Sequence, residues 1–158
     1  MHVVILGCGR VGAMLASLLE TERHSIGIID KDPEAFRRLS GGFRGKTILG
    51  IGIDEDILRK AGIERADGFA ATTNGDNTNI MSAQIAKVKF KVPRVIARIY
   101  DPLRADAYRE LGIDTISPTL LGAGLCQDFL TERPWRSIEE YQAIREAQLL
   151  SPRLEGSR

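Results

Sequence analysis

Cysteine, histidine, tryptophan and net charge are all scarce in this chain of 158 residues: two Cys, two His, one Trp, and 22 Lys plus Arg against 21 Asp plus Glu. Two cysteines make no disulfide framework. A net charge of +1 supplies no broad field for nucleic acid or an anionic membrane, so no nucleic-acid partner is expected. No segment approaches the roughly 20 apolar residues of a membrane span. Met1 is followed almost at once by a strand-like run, which leaves no room for a signal peptide, and the expected localisation is cytoplasmic. Internal repeats and low-complexity tracts are also missing. With 43% hydrophobic residues, the chain can build one good core and little else.

Glycine, by contrast, is plentiful, and three glycines are placed with a purpose. Residues 3–12, VVILGCGRVG, run a short apolar strand into Gly7, Gly9 and Gly12, followed by Val11, Leu15, Leu18 and Leu19 at helical spacing. Strand, turn and helix in this order make a dinucleotide-binding opening. Gly7 would allow the tight turn, Gly9 would let a pyrophosphate approach the backbone, and Gly12 would let the helix pack closely on the strand. The helix N-terminus then offers unpaired N–H groups to phosphates. About 20 residues on, SIGIID ends in Asp30, the offset at which such sites place a ribose-binding acid. Asp30 would repel a 2′-phosphate and so favours a ligand with free ribose hydroxyls, a preference that the neighbouring Lys31 softens. Cys8 lies inside the turn, where a helix N-terminus could lower its pKa, although a packing role is the expectation. Cys126, among Leu125, Phe129 and Leu130, is expected in the core.

Strand-like runs at 2–6, 25–29, 46–50, 68–72, 94–98 and 114–116 alternate with helical patterns at 11–22, 33–40, 54–61, 76–90, 102–111 and 119–131. This predicts an α/β, Rossmann-like, doubly wound parallel sheet of six strands in the order 3-2-1-4-5-6. Pro33 after Asp32 suits a first helical turn, Asp54 and Asp76 are expected helix caps, and Gly62 and Gly112 stand where helices should stop. In such a sheet the ligand crevice lies outside the strand carboxyl ends. Asp30, the run Thr72, Thr73 and Asn74, and Arg98 fall at that end; Arg98 has an alternative as an ion-pair partner of Asp101 or Glu110. His2 and His24 fall at the opposite end, where neither can act on a bound cofactor. Residues 1–130 are the expected nucleotide-binding domain and 131–158 a short C-terminal helical extension with a frayed tail. In that extension Ser137 and Glu140 form a capping box. The helix behind them carries Ile138, Tyr141, Ile144 and Leu149, a stripe that can pack on its own domain or on another subunit, the second being the expectation because six strands already complete the core.

Taken together, GCGRVG, IIDKDP, LGIGIDEDILRKAGIERAD, ATTNGDNTN and VIARIYDP resemble the TrkA-N family over about residues 1–130. These are the nucleotide-binding N-terminal domains of Trk and Ktr potassium-uptake regulators and of regulators of potassium conductance (RCK domains). The resemblance implies a non-enzymatic, cytoplasmic regulatory subunit, peripheral to the inner face of the cell membrane and attached to a membrane potassium transporter or channel. It also implies a homodimer or a higher ring, with a second TrkA-like chain as a further partner. NAD or NADH is the implied cofactor, with ATP, ADP or AMP as alternatives. By the same resemblance Gly7, Cys8, Gly9, Arg10 and Val11 would hold the diphosphate, Asp30 the adenosine ribose, and Thr73 with Asn74 the cofactor beyond it, with Arg98 as the family's crevice arginine. Two departures stand out. Gly50 is followed by Ile51 where many members have an acid, so a polar contact near the adenine is replaced by an apolar one. The family's usual C-terminal domain is also missing from this sequence.

Two other classes of function compete. A small NAD-dependent oxidoreductase would need a substrate domain and an acid or base beside the nicotinamide, for which Asp76, Tyr100 and Asp101 are the nearest candidates. An assembly module with a decayed nucleotide site is the other, and Ile51 is the residue that suggests it.

Overall fold

The computed structural model describes residues 1–100, 108 and 112–144. Six parallel strands, β1 (His2–Leu6), β2 (Ser25–Asp30), β3 (Lys46–Leu49), β4 (Gly68–Ala71), β5 (Arg94–Arg98) and β6 (Asp114–Ile116), form one sheet in the order β3-β2-β1-β4-β5-β6. The expected topology is therefore the observed one. Alternation along β1 explains why the sheet is covered on both faces. Val4 and Leu6 join Ile29, Leu58, Ile63 and Phe69 in one core, while Val3 and Ile5 join Ile26, Ile28, Ala13 and Ala16 in the other.

The helices are α1 (Arg10–Thr21), α2 (Glu55–Lys60), α3 (Asp76–Gln84), α4 (Pro118–Leu130) and α5 (Ile138–Gln142). A π-helical turn, Ile85–Lys89, prolongs α3. The 33–40 pattern forms a 3₁₀ helix, Pro33–Arg38, whose cap Asp32 accepts the Glu34 N–H. Asp54 caps α2 as expected. Asp76, however, is the first residue of α3 rather than its cap, which is Gly75, and its carboxylate accepts the Tyr100 N–H at 2.9 Å. The expected helix at 102–111 falls almost wholly outside the described residues, as do Asp101 and Glu110. Among the described residues no helix is long and apolar enough to cross a membrane.

The inward face of α1 matches the apolar spacing only in part: Leu15 and Leu19 pack against the core. Gly12, Ala13 and Ala16 are buried, whereas Val11 and Leu18 are 43% and 56% exposed. Small side chains win the inner face because the helix lies close on the sheet, and larger ones would hold it off.

A similar reversal places Cys126 at the surface. Residues Leu120, Gly124 and Asp128 turn inward from α4, one face at four-residue spacing, and Cys126 lies about half a turn away from it. Cys8 is buried, and burial first, then the Asp30 carboxylate, raises its thiol pKa to about 11. A helix N-terminus does not activate it. Alkylation of the native protein at pH 8, read by mass spectrometry, should therefore modify Cys126 alone, with Cys8 reacting only after denaturation.

Of the stripe on the C-terminal helix, Tyr141 packs on its own chain, whereas Ile138 stays 58% exposed. Tyr141 is 3% exposed and occupies the space left by Gly124, where a Cβ would meet its ring at 2.5 Å. Its hydroxyl donates to Asp128 Oδ2 at 3.0 Å. Arg136 closes the same network, donating to both Asp128 oxygens at 2.9 and 2.8 Å with its guanidinium over the Tyr141 ring. A polar anchor inside α4 fixes Tyr141 in place, which an apolar stripe cannot reveal. Leu149 lies outside the described residues. The Arg136 hydrogen bonds hold the Asp128 carboxyl below its ordinary pKa. Stability from a carboxyl whose pKa is lowered on folding is complete above the ordinary carboxylate range and is lost as pH falls through the lowered value. Melting curves from neutral pH down to about 3 should thus show a shallower acid loss for Asp128→Asn than for the parent protein.

Candidate functional site

At the carboxyl ends of β1, β2, β4 and β5 the sheet opens into a crevice of about 850 Å³. Its floor is the turn between β1 and α1. Gly7 has φ +96°, and a Cβ there would stand 2.8 Å from the Thr73 nitrogen; a Cβ on Gly12 would stand 1.8 Å from the Gly7 carbonyl oxygen. The fold itself therefore demands both glycines. Gly9 is different, because a Cβ there would meet nothing within 4 Å. Gly9 is also the N-cap of α1, without a side-chain cap and with no acid in the first turn. The first N–H groups of α1 consequently face the crevice with no side-chain acceptor.

Asp30 locks this turn from the β2 side. One carboxylate oxygen accepts the Cys8 N–H at 2.6 Å and the other accepts the Asp32 N–H at 2.9 Å. A carboxylate oxygen has two lone-pair sites, so each can still accept a further bond. Thr72 fastens the turn from β4, its hydroxyl donating to the Leu6 and Gly7 carbonyl oxygens, both at 3.0 Å.

The far wall hangs on Asn79, fully buried in α3. Its Oδ1 accepts from the Thr73 N–H at 2.9 Å and from the Thr73 hydroxyl at 2.7 Å, while its Nδ2 donates to the Thr73 and Arg98 carbonyl oxygens at 3.0 and 2.8 Å. One amide thereby ties the end of β4 to the end of β5. Arg98 adds an Nη2 bond to the Thr73 carbonyl at 2.6 Å and lies over the Tyr100 ring, 4.6 Å from its centroid. Among the described residues its Nε is buried without a hydrogen-bond partner.

The structure thus brings Gly7, Gly9, Arg10, Val11, Asp30, Lys31, Gly50, Ile51, Thr72, Thr73, Asn74 and Arg98 to one crevice. Cys8 and Gly12 do not line it: both are buried beneath the turn, with the Cys8 N–H spent on Asp30. Ile51 is 59% exposed at the rim. Residues missed from the sequence include Arg38 and Thr78 in the lining and Asn79 behind it, while Tyr100, named only as a candidate acid of an enzyme, also lines the crevice. The polar run containing Asn74 and Thr78 signalled a helix start near the crevice, yet nothing local marked which of its residues turns inward. Both histidines lie at the other end of the sheet, as expected. His2 contacts the Ser25 hydroxyl at 3.0 Å and the Ala61 carbonyl at 2.9 Å, and His24 contacts Glu22 at 3.1 Å.

Comparison with known proteins gives a consistent picture. The model of the TrkA-N domain family matches residues 3–118. The Trk system potassium uptake protein TrkA of Streptomyces coelicolor is 54% identical over 117 residues, which is 74% of this chain and 52% of that protein. The chain spans about half the length of this curated relative. Among solved structures, the TrkA-N domain of the inner membrane protein YbaL from Escherichia coli superposes with a TM-score of 0.73 at 21% identity, covering 82% of this chain and 96% of that one. The structure of GsuK bound to ADP superposes with a TM-score of 0.70 at 27% identity, covering 83% of this chain and 34% of that one.

Proposed function

This chain belongs to the TrkA-N domain family, and from that premise we propose that it is a nucleotide-binding regulatory subunit of a potassium transporter or channel. The observation that carries the nucleotide part is Gly9. The fold has no use for a bare backbone there, whereas a diphosphate approaching the uncapped start of α1 does. In this reading the N–H groups behind Gly9, with Arg10, hold the diphosphate, Asp30 accepts from the ribose, and Ile51 packs on the adenine. The Nε of Arg98, buried and unpaired among the described residues, takes an oxygen of the ligand beyond the phosphates, since a buried donor left unpaired is costly. ADP on the GsuK neighbour and the potassium-uptake name of the Streptomyces relative support the ligand class and the transport role. NAD, NADH, ATP, ADP and AMP all present the phosphate and ribose that these residues can read.

The function needs no chemical step. A nucleotide that binds one arrangement of the subunits more tightly than another shifts the assembly, and with it the membrane partner, toward that arrangement. Dimers or rings, including a second TrkA-like chain, supply the arrangements. Calorimetric titration with the five nucleotides, run beside light scattering and melting curves, tests the reading. At least one nucleotide should bind, raise the melting temperature and change the scattering. If all five leave both unchanged, the proposal fails.

A further inference from the structure

A second recess, about 1380 Å³, opens at the opposite pole of the molecule, at the amino ends of β1, β2 and β3. The turn after α1, the loop before β3 and the end of α2 converge there. They bring six cationic side chains, Arg23, Arg44, Lys46, Arg59, Lys60 and Arg65, against two carboxylates, Glu20 and Glu64. Among the lining residues that is an excess of four positive charges, in a chain whose total excess is one.

Helix ends account for part of this. Lys46 Nζ donates to the Lys60 carbonyl at 2.8 Å, which neutralises the C-terminus of α2. Arg59 is held by Glu55, Asp56 and Glu64 at 3.3, 3.0 and 3.2 Å. Glu20 accepts the Arg44 backbone N–H. The remaining four cations, Arg23, Arg44, Lys60 and Arg65, are exposed, and among the described residues their side chains have neither a hydrogen bond nor an ion pair. Like charges gathered around a concavity repel one another, and the concavity focuses their field outward.

We propose that this recess docks an acidic polypeptide segment of a partner protein, at the pole remote from the nucleotide crevice. Charge sets the sign of the occupant, and shape and lining set its class. A small ligand is disfavoured because such sites are mostly apolar and enclose about 300–1,000 Å³, whereas this recess is larger and rimmed by charge. A bilayer is disfavoured because membrane association of a basic surface is secured by apolar side chains that insert beside it. The apolar side chains lining the recess, Ile26 and Ala61, are both buried. Strung carboxylates on a flexible chain can reach all four free cations, with Arg residues taking them in bidentate pairs.

The test is fluorescence anisotropy of a labelled peptide of about eight glutamates, a length chosen to offer more carboxylates than the four free cations. It should bind saturably at low salt and weaken as salt is raised. The double variant Arg23→Glu/Arg65→Glu should weaken binding about tenfold or more, while Arg37→Glu, an exposed reversal outside the recess, should leave it nearly unchanged. Unaltered nucleotide titration of the double variant would show that the chain remains folded and that the two poles are separate. No saturable binding of the peptide overturns the proposal, as does equal weakening by Arg37→Glu. Phosphatidylglycerol vesicles or tripolyphosphate binding more tightly than the peptide, with loss in the double variant, would reassign the recess to a membrane or a small anion.

Discussion

Gly9→Val is expected to weaken nucleotide binding severely while leaving the fold intact. A Cβ at this position meets nothing within 4 Å of protein, and the backbone, at φ −74° and ψ −169°, is one that valine adopts without strain. The melting temperature should fall by no more than about 4 °C, the cost of valine in place of glycine at the N-cap of α1. The branched side chain would instead fill the space through which a diphosphate approaches the start of α1. Losing two charge-assisted bonds to backbone N–H groups, at about 1.5–3 kcal/mol each, weakens binding roughly 100-fold or more. Titration and melting of the same preparation check both halves. Full-strength nucleotide binding by this variant would show that phosphates do not use the turn.

Gly12→Ala should do the reverse, because there a single methyl group has no room. The added Cβ would lie 1.8 Å from the Gly7 carbonyl oxygen and 2.7 Å from the Thr72 hydroxyl. The nearer of these is backbone, held in a turn that Asp30 and Thr72 bond from both sides. Relief requires α1 to move off the sheet, and the small inner face of Ala13 and Ala16 would then lose its packing. Overpacking of this kind costs about 3 kcal/mol or more, which lowers the melting temperature by roughly 10 °C in a chain of this size. A melting temperature within about 2 °C of the parent value would mean that the turn yields more easily than its hydrogen bonds imply.

These two glycines also bear on how a binding residue is to be tested. Asp30→Ala removes an acceptor for a ribose, but it also strands the Cys8 and Asp32 N–H groups that the carboxylate accepts. Ligand loss in that variant would mix recognition with a loosened turn. Gly9→Val separates the two, since nothing in the chain leans on that position.

Much of this molecule was legible from local pattern. Six strands, their order, the glycine turn and the crevice at the strand carboxyl ends follow from periodicity and chain connectivity, which act over a few residues or through the handedness of each crossover. Asp30, Thr72, Thr73 and Arg98 stand at or just beyond strand carboxyl ends, as expected, because a strand end is a local feature. Orientation on helices was not legible in the same way. Val11 and Leu18 look like core residues until close approach to the sheet selects Gly12, Ala13 and Ala16 for the inner face. Cys126 looks buried until α4 turns Leu120, Gly124 and Asp128 inward.

What the sequence by itself determined was therefore the architecture and the family, through the alternation of strand and helix and a few glycines with no substitute. Tertiary structure alone decided the rest. It brought Asn79 against Thr73 and Arg98, joined Asp128 to Arg136 and Tyr141, and gathered at one pole of a nearly neutral chain four cations that are unpaired among the described residues. The reason is physical: periodicity fixes which residues share a face, but only the packed partner decides which face is buried. Net charge likewise sums over the chain, whereas an electric field depends on where the charges stand.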